Sequence, residues 1–144
     1  METLDYYTVI LDGIDKCGKD TIAKYVWELD RRLNVFCRGW PSLVVYAKKY
    51  SRDCKYSLPY KNALYVHLTV DKADWQIRCN LHNEPTINYY DDSNLFEQAF
   101  EFLQNTNYKI VKYNTSDMTA YQIAEQIVKT IHNLNKGVVN NGRN

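Results

Sequence analysis

The sequence predicts an α/β fold, a mainly parallel sheet of about five strands with helices on both faces. Short β-branched and aromatic runs alternate with segments whose apolar residues recur every three or four positions. Strands that alternate with helices in this way form βαβ units, whose crossovers leave the strands parallel and cover them on both sides.

The elements follow in order. Tyr6 to Leu11 is a buried first strand that stops at Asp12-Gly13. From Thr21 to Leu33, the spacing of Ile22, Ala23, Val26, Leu29 and Leu33 makes one helical face. Asn34–Cys37 is a second strand, closed by Arg38-Gly39-Trp40-Pro41, and Leu43–Tyr46 reads as a third. Residues 47–62 are polar and tyrosine-rich and carry no clear period. Leu64–Leu68 is a fourth strand, and Asp71 caps a helix running through Trp75, Ile77 and Arg78. Residues 82–93 read as a polar, mobile loop. A helix then starts near Asn94, with Glu97 at capping-box distance and Leu95, Phe96, Ala99, Phe100 and Leu103 on its apolar face. Tyr108–Tyr113 is a fifth strand, and a last helix over about 119–134 buries Ile123, Ala124, Ile127 and Ile131. Residues 1–135 are expected to form a single domain, and 136–144 a flexible C-terminal tail.

Composition narrows the function. At 144 residues, 45% hydrophobic and 24% charged, the chain is ordinary globular material rather than disordered. A net charge of +1 argues against a general nucleic-acid or membrane-surface binder. No apolar run is long enough for a membrane span, and secretion by a signal peptide is not expected. Cys17, Cys37, Cys54 and Cys79 show no zinc or redox spacing and are expected as free thiols, which suits the cytoplasm. His67, His82 and His132 are too scattered to suggest a metal cluster.

The strongest chemical signal is Gly13-Ile14-Asp15-Lys16-Cys17-Gly18-Lys19-Asp20-Thr21, between the first strand and the first helix. It has the Gly-x4-Gly-Lys core of a Walker A loop. Backbone N–H groups in such a loop, together with the helix N-terminus, form a nest for phosphates. Gly13 and Gly18 permit close approach, and Lys19 supplies a point charge to the β- and γ-phosphates. The residue after the lysine is normally Ser or Thr, a magnesium ligand. Here Asp20 stands there and Thr21 follows, so these two are the candidate Mg²⁺ ligands for an ATP–Mg²⁺ complex. Cys17 sits inside the nest as a small filler. The fold expected is therefore the three-layer P-loop nucleoside triphosphate hydrolase type, with its site beyond the carboxyl ends of the strands.

Leu11 to Thr21 resembles the loop of the thymidylate kinase family, roughly acidic-Gly-x-Asp-basic-x-Gly-Lys-Ser/Thr-Thr. Asp12 stands at its acidic position. The resemblance implies that Asp15 contacts the sugar of a nucleoside monophosphate and that Lys16 assists phosphoryl transfer. It implies that Arg38, before Gly39-Trp40-Pro41, holds the acceptor phosphate, with Lys49 or Arg52 as additional cations. Arg78 to Glu84 resembles the family's lid, with His82 in place of a second arginine, and Arg78 joins Lys16 and Lys19 as a catalytic charge. Asn114 and Thr115 fall where the family contacts adenine. The order of these stretches matches over most of the chain, and the loop is the specific part.

The chain departs from the family in length and in one motif. The family is longer, mainly between its second and third strands, where two helices build the thymidine pocket. Its Asp-Arg-Tyr motif is replaced by Lys48-Lys49-Tyr50 or by a shifted Arg52-Asp53. Tyr46, Tyr50, Tyr56 and Tyr60 are candidate stacking residues for an acceptor base. The expected function is phosphoryl transfer from ATP to a nucleoside monophosphate, dTMP or a related deoxynucleotide first. The alternative is a catalytically degenerate relative that binds nucleotide or a partner protein. A deoxynucleoside kinase is a third reading. A homodimer is the expected assembly.

Overall fold

A computed structural model describes residues 6–52 and 59–142, with side chains described as far as residue 136. Among these residues, four strands and five helices follow one another as β1 (Thr8–Gly13), α1 (Lys19–Leu29), β2 (Asn34–Cys37), α2 (Trp40–Lys49), β3 (Ala63–Thr69), α3 (Lys72–Leu81), α4 (Tyr89–Asn105), β4 (Lys109–Asn114) and α5 (Ala120–Gly142). The strands form one parallel sheet in the order β2-β1-β3-β4. Every residue of β1 is buried, as are the first six of β3, because both are central strands covered on two faces. Cys54 and Tyr56 lie outside the described residues.

Register decides which side chains share a face. Ile10 lies opposite Tyr65 and Asp12 opposite His67, while His67 lies opposite Lys112. Cα partners on neighbouring parallel strands point the same way, so these residues share one face. There α2 and α4 pack side by side. Trp40 stacks on Phe102, Tyr46 meets Phe96 edge-on, and Lys49 pairs with Asp92. The rising numbers on α2 meet falling numbers on α4, so the two helices run antiparallel. Val9, Leu11, Leu64, Val66 and Leu68 point to the other face, where α1 and α5 bury Ile22, Val26, Ile123, Ile127 and Ile131. Among the described residues no helix is long and apolar enough to cross a membrane.

The expected third strand is absent from the sheet: Leu43–Tyr46 lies inside α2. A four-residue apolar run does not distinguish strand from helix by itself. Context decides. Pro41 occupies the first turn, where its missing N–H costs nothing. Burial then falls on Ser42 and Val45, three residues apart, while Leu43 stays 45% exposed. The start of α4 also moves. α4 begins at Tyr89, inside the segment expected as loop, so Glu97 lies within the helix and pairs with Lys112 instead of closing a capping box. Asp71 does occupy the N-cap position of α3, but its carboxylate makes no cap bond and accepts from Asn114 Nδ2 at 2.8 Å.

Candidate functional site

β1 ends in the centre of the sheet, and the chain must turn sharply there to enter α1. At Gly13, a Cβ would stand 2.2 Å from the Leu68 carbonyl oxygen, so only glycine fits against β3. Gly18 has φ +92° and Lys16 φ +65°, both left-handed, which winds the loop around its own backbone. Gly18 is the residue at the α1 N-cap. The helix's unpaired N–H groups and its positive end therefore open toward the loop.

Lys19, in the first turn of α1, is only 7% exposed. Its ammonium lies 3.5 Å from the Ile14 carbonyl and 3.6 Å from Cys17 Sγ. Cys17 is fully buried, and burial raises its thiol pKa, so it fills space as a neutral group. A helix N-terminus would act in the opposite direction, but desolvation is the larger effect here.

Two arginines reach the loop from either side. Arg78, on α3, donates to the Lys16 carbonyl at 2.8 Å and to Thr115 Oγ1 at 3.4 Å. Lys16 pairs with Glu84 at 3.0 Å, and that bond raises the lysine's pKa. Trp75 Nε1 donates to the Asp15 carbonyl at 3.1 Å. The α3 segment is thus strapped over the outer rim of the loop. Arg38, after β2, has φ +83°. Its guanidinium bonds Ser42 Oγ at 3.0 Å and Asp15 at 3.3 Å, and lies 5.3 Å from the Tyr46 ring.

Asp12 holds that side together. Its carboxylate is completely buried. It accepts from Gly13 N at 2.9 Å, Gly39 N at 3.1 Å and Ser42 N at 2.8 Å, and from the Ser42 hydroxyl. An acid on β1 therefore caps α2 from across the fold, and the same serine steadies Arg38. The place of Asp12 in the loop is legible in the sequence, whereas its partnership with Ser42 is not. The Gly-Trp-Pro-Ser run was the available signal, since proline is common in the first turn of a helix.

These groups surround an open cavity of about 720 Å³ lined by Asp15, Lys16, Gly18 to Ile22, Cys37, Arg38, Arg78, His82, Thr115, Met118 and Ala120. Of the candidate residues, Lys16, Lys19, Arg78, Asp15, Gly18, Asp20, Thr21, Arg38 and Thr115 meet there, with Gly13 and Cys17 supporting the loop beneath. Asn114 faces a second cavity on the α4 side. Lys49 pairs with Asp92, and Arg52 lies 5.4 Å from the Tyr50 ring; neither lines the loop cavity. Of the described tyrosines, Tyr46 stacks on Tyr50, while Tyr60 N–H donates to Tyr65 Oη.

A divalent cation would find two hard oxygen donors in this cavity, the Asp20 carboxylate and the Thr21 hydroxyl. This set suits magnesium, which typically takes one or two carboxylates and completes its shell with phosphates and water. Burial, and then its bond to Asp20, raises the Cys37 thiol pKa to about 11. Asp12 is fully committed to its four donors. No cluster of three or more His, Cys, Asp or Glu among the described residues could hold a metal by itself.

Neither a family model nor a curated protein matches the sequence. Among solved structures, the fold is similar to that of the YorR protein from Bacillus subtilis, crystallised in complex with phosphorylated GDP. The match has a TM-score of 0.65 at 19% identity and covers 87% of this chain and 95% of that one. The chain therefore shares its α/β architecture with a nucleotide-binding protein of nearly the same extent.

Proposed function

We propose that this protein is a phosphotransferase that carries a phosphoryl group from ATP to a nucleoside monophosphate. One observation carries the reading. The Gly13–Thr21 loop, with Lys19 at the head of α1, opens into a cavity that Arg38 and Arg78 enter from opposite sides. That is a site for two phosphate-bearing substrates on a P-loop scaffold.

Phosphoryl transfer needs in-line placement and charge neutralisation more than covalent help. The loop N–H groups and Lys19 bind the β- and γ-phosphates. Arg38, steadied by Ser42 and Asp15, takes the acceptor phosphate. Arg78 and Thr115 border the nucleoside end of ATP, and Lys16 adds charge from the rim. The segment from Arg78 to Glu84 excludes water when it closes. Asp20 and Thr21 would hold Mg²⁺, whose chemistry is to neutralise charge on the transferred phosphoryl group.

The loop's resemblance to thymidylate kinases favours dTMP or a related deoxynucleotide as acceptor. The guanine nucleotide in the structural neighbour makes GMP and dGMP the next candidates. A second reading, a degenerate relative kept for nucleotide or partner binding, is favoured by Asp20. An anionic side chain stands where a hydroxyl is usual, and α2 replaces the strand expected before the acidic motif.

ADP formation from ATP–Mg²⁺, measured against a panel of nucleoside monophosphates with Lys19→Ala as control, decides between them. Turnover that requires one acceptor and disappears in the variant supports the kinase. Absence of turnover with every acceptor, in folded protein, leaves the binding role.

A further inference from the structure

The cavity on the α4 face shares no lining residue with the loop cavity, although Ile14 of the glycine loop forms part of its wall. It encloses about 500 Å³ beyond the ends of β3 and β4, beneath the start of α4. That volume suits a small organic ligand. His67 lies at its base. The ring is stacked flat on Phe100, 4.2 Å between centroids and 5° between planes, and is 3% exposed. Its ring nitrogens bond no described residue, and since no fully buried side-chain nitrogen or oxygen among the described residues lacks a partner, they open onto accessible space. Burial lowers its pKa to about 4, so at neutral pH it offers one donor and one acceptor in a fixed plane.

The surroundings restrict what can pair with it. Ile14, Val70 and Phe96 give apolar walls, and Ser93 and Asn114 add uncharged polar groups. At the mouth, Lys112 is already neutralised by Glu97 at 2.6 Å, and Asp71 adds a further negative charge. A phosphate would find no free cation among these residues. We infer that this cavity is a second ligand site for an uncharged nitrogen heterocycle, a nucleobase or a nucleoside, whose donor–acceptor edge pairs with the His67 imidazole. The site needs neither ATP nor the acceptor, so it stands whether or not the kinase reading holds.

Calorimetric titration of the full chain with the common nucleosides and their free bases, at pH 7.5, tests this. One of them should bind with a dissociation constant of about 100 µM, the scale for a ligand of that size. His67→Phe keeps the stack on Phe100 and the volume but removes both ring nitrogens, and should weaken binding at least tenfold. Ser93→Trp fills the cavity from a half-buried helix position and should abolish binding; it decides alone if His67→Phe does not fold. Three results overturn the inference: no binding by any nucleoside or base at millimolar concentration, binding that survives both substitutions, or binding lost in Ser93→Trp but unchanged in folded His67→Phe.

Discussion

Removing the Asp12 carboxylate should cost more stability than the loss of any single exposed charge, and the cost should be graded. In Asp12→Ala the backbone N–H groups of Gly13, Gly39 and Ser42 lose their acceptor together, as does the Ser42 hydroxyl. A buried donor left unpaired costs about 1–3 kcal/mol. Some recover through water entering from the loop side, so about 3–6 kcal/mol is expected for the set. Asp12→Asn can keep its amide oxygen on Gly39 and Ser42, and the serine hydroxyl can turn to accept from the new amide. Only Gly13 N–H is then stranded, at about 1–3 kcal/mol. Against a total stability of about 5–15 kcal/mol, both variants should remain measurable. Urea unfolding followed by circular dichroism at pH 7 gives the two values. Ser42→Ala combined with Asp12→Asn should cost less than the sum of the single changes, because the two residues share a bond. A cost under about 1 kcal/mol for Asp12→Ala, or an Asn variant as damaged as the Ala variant, would refute the cross-fold cap.

Three other outcomes follow from the same geometry. Gly13→Ala forces a Cβ to 2.2 Å from the Leu68 carbonyl; thermal melting should show a loss of about 3 kcal/mol or a failure to fold. Arg78→Ala releases the Lys16 carbonyl and Thr115, so nucleotide affinity, read by calorimetry with ATP, should fall about tenfold. Asp30, 8% exposed, is held by Arg32 and bonded to His132, and these partners lower its carboxyl pKa. A lowered folded-state pKa stabilises the protein above the ordinary carboxylate pKa of about 4 and loses that contribution as pH falls below it. In Asp30→Asn, stability at pH 7 should drop by about 2 kcal/mol and the acid limb of the stability–pH curve should flatten.

The parts of the fold legible in the sequence were those with long or redundant patterns. α5 could be placed because Ile123, Ala124, Ile127 and Ile131 keep one helical face for several turns. β1 and the loop after it announced themselves through an apolar run ending in two spaced glycines and a lysine. α2 was misread because Leu43–Tyr46 is too short to reveal a period, and the proline and serine before it outweigh strand propensity only when Asp12 supplies the cap. Lys49 and Arg52 were candidates by their position after an expected strand, but α2 directs Lys49 to Asp92 instead.

Local chemistry decided what could be written residue by residue: the turn, the nest, the buried faces and the thiols. Those choices depend on neighbours a few positions away, which the sequence displays. Partnership between distant residues belongs to the tertiary structure. Asp12 meets Ser42, Arg78 meets Thr115, and His67 faces a cavity between β3, β4 and α4, because sheet order and helix packing bring together groups that no local pattern links. Burial then sets their charge and demand for partners, so the loop was readable from sequence while the groups that brace it emerged only in the folded chain.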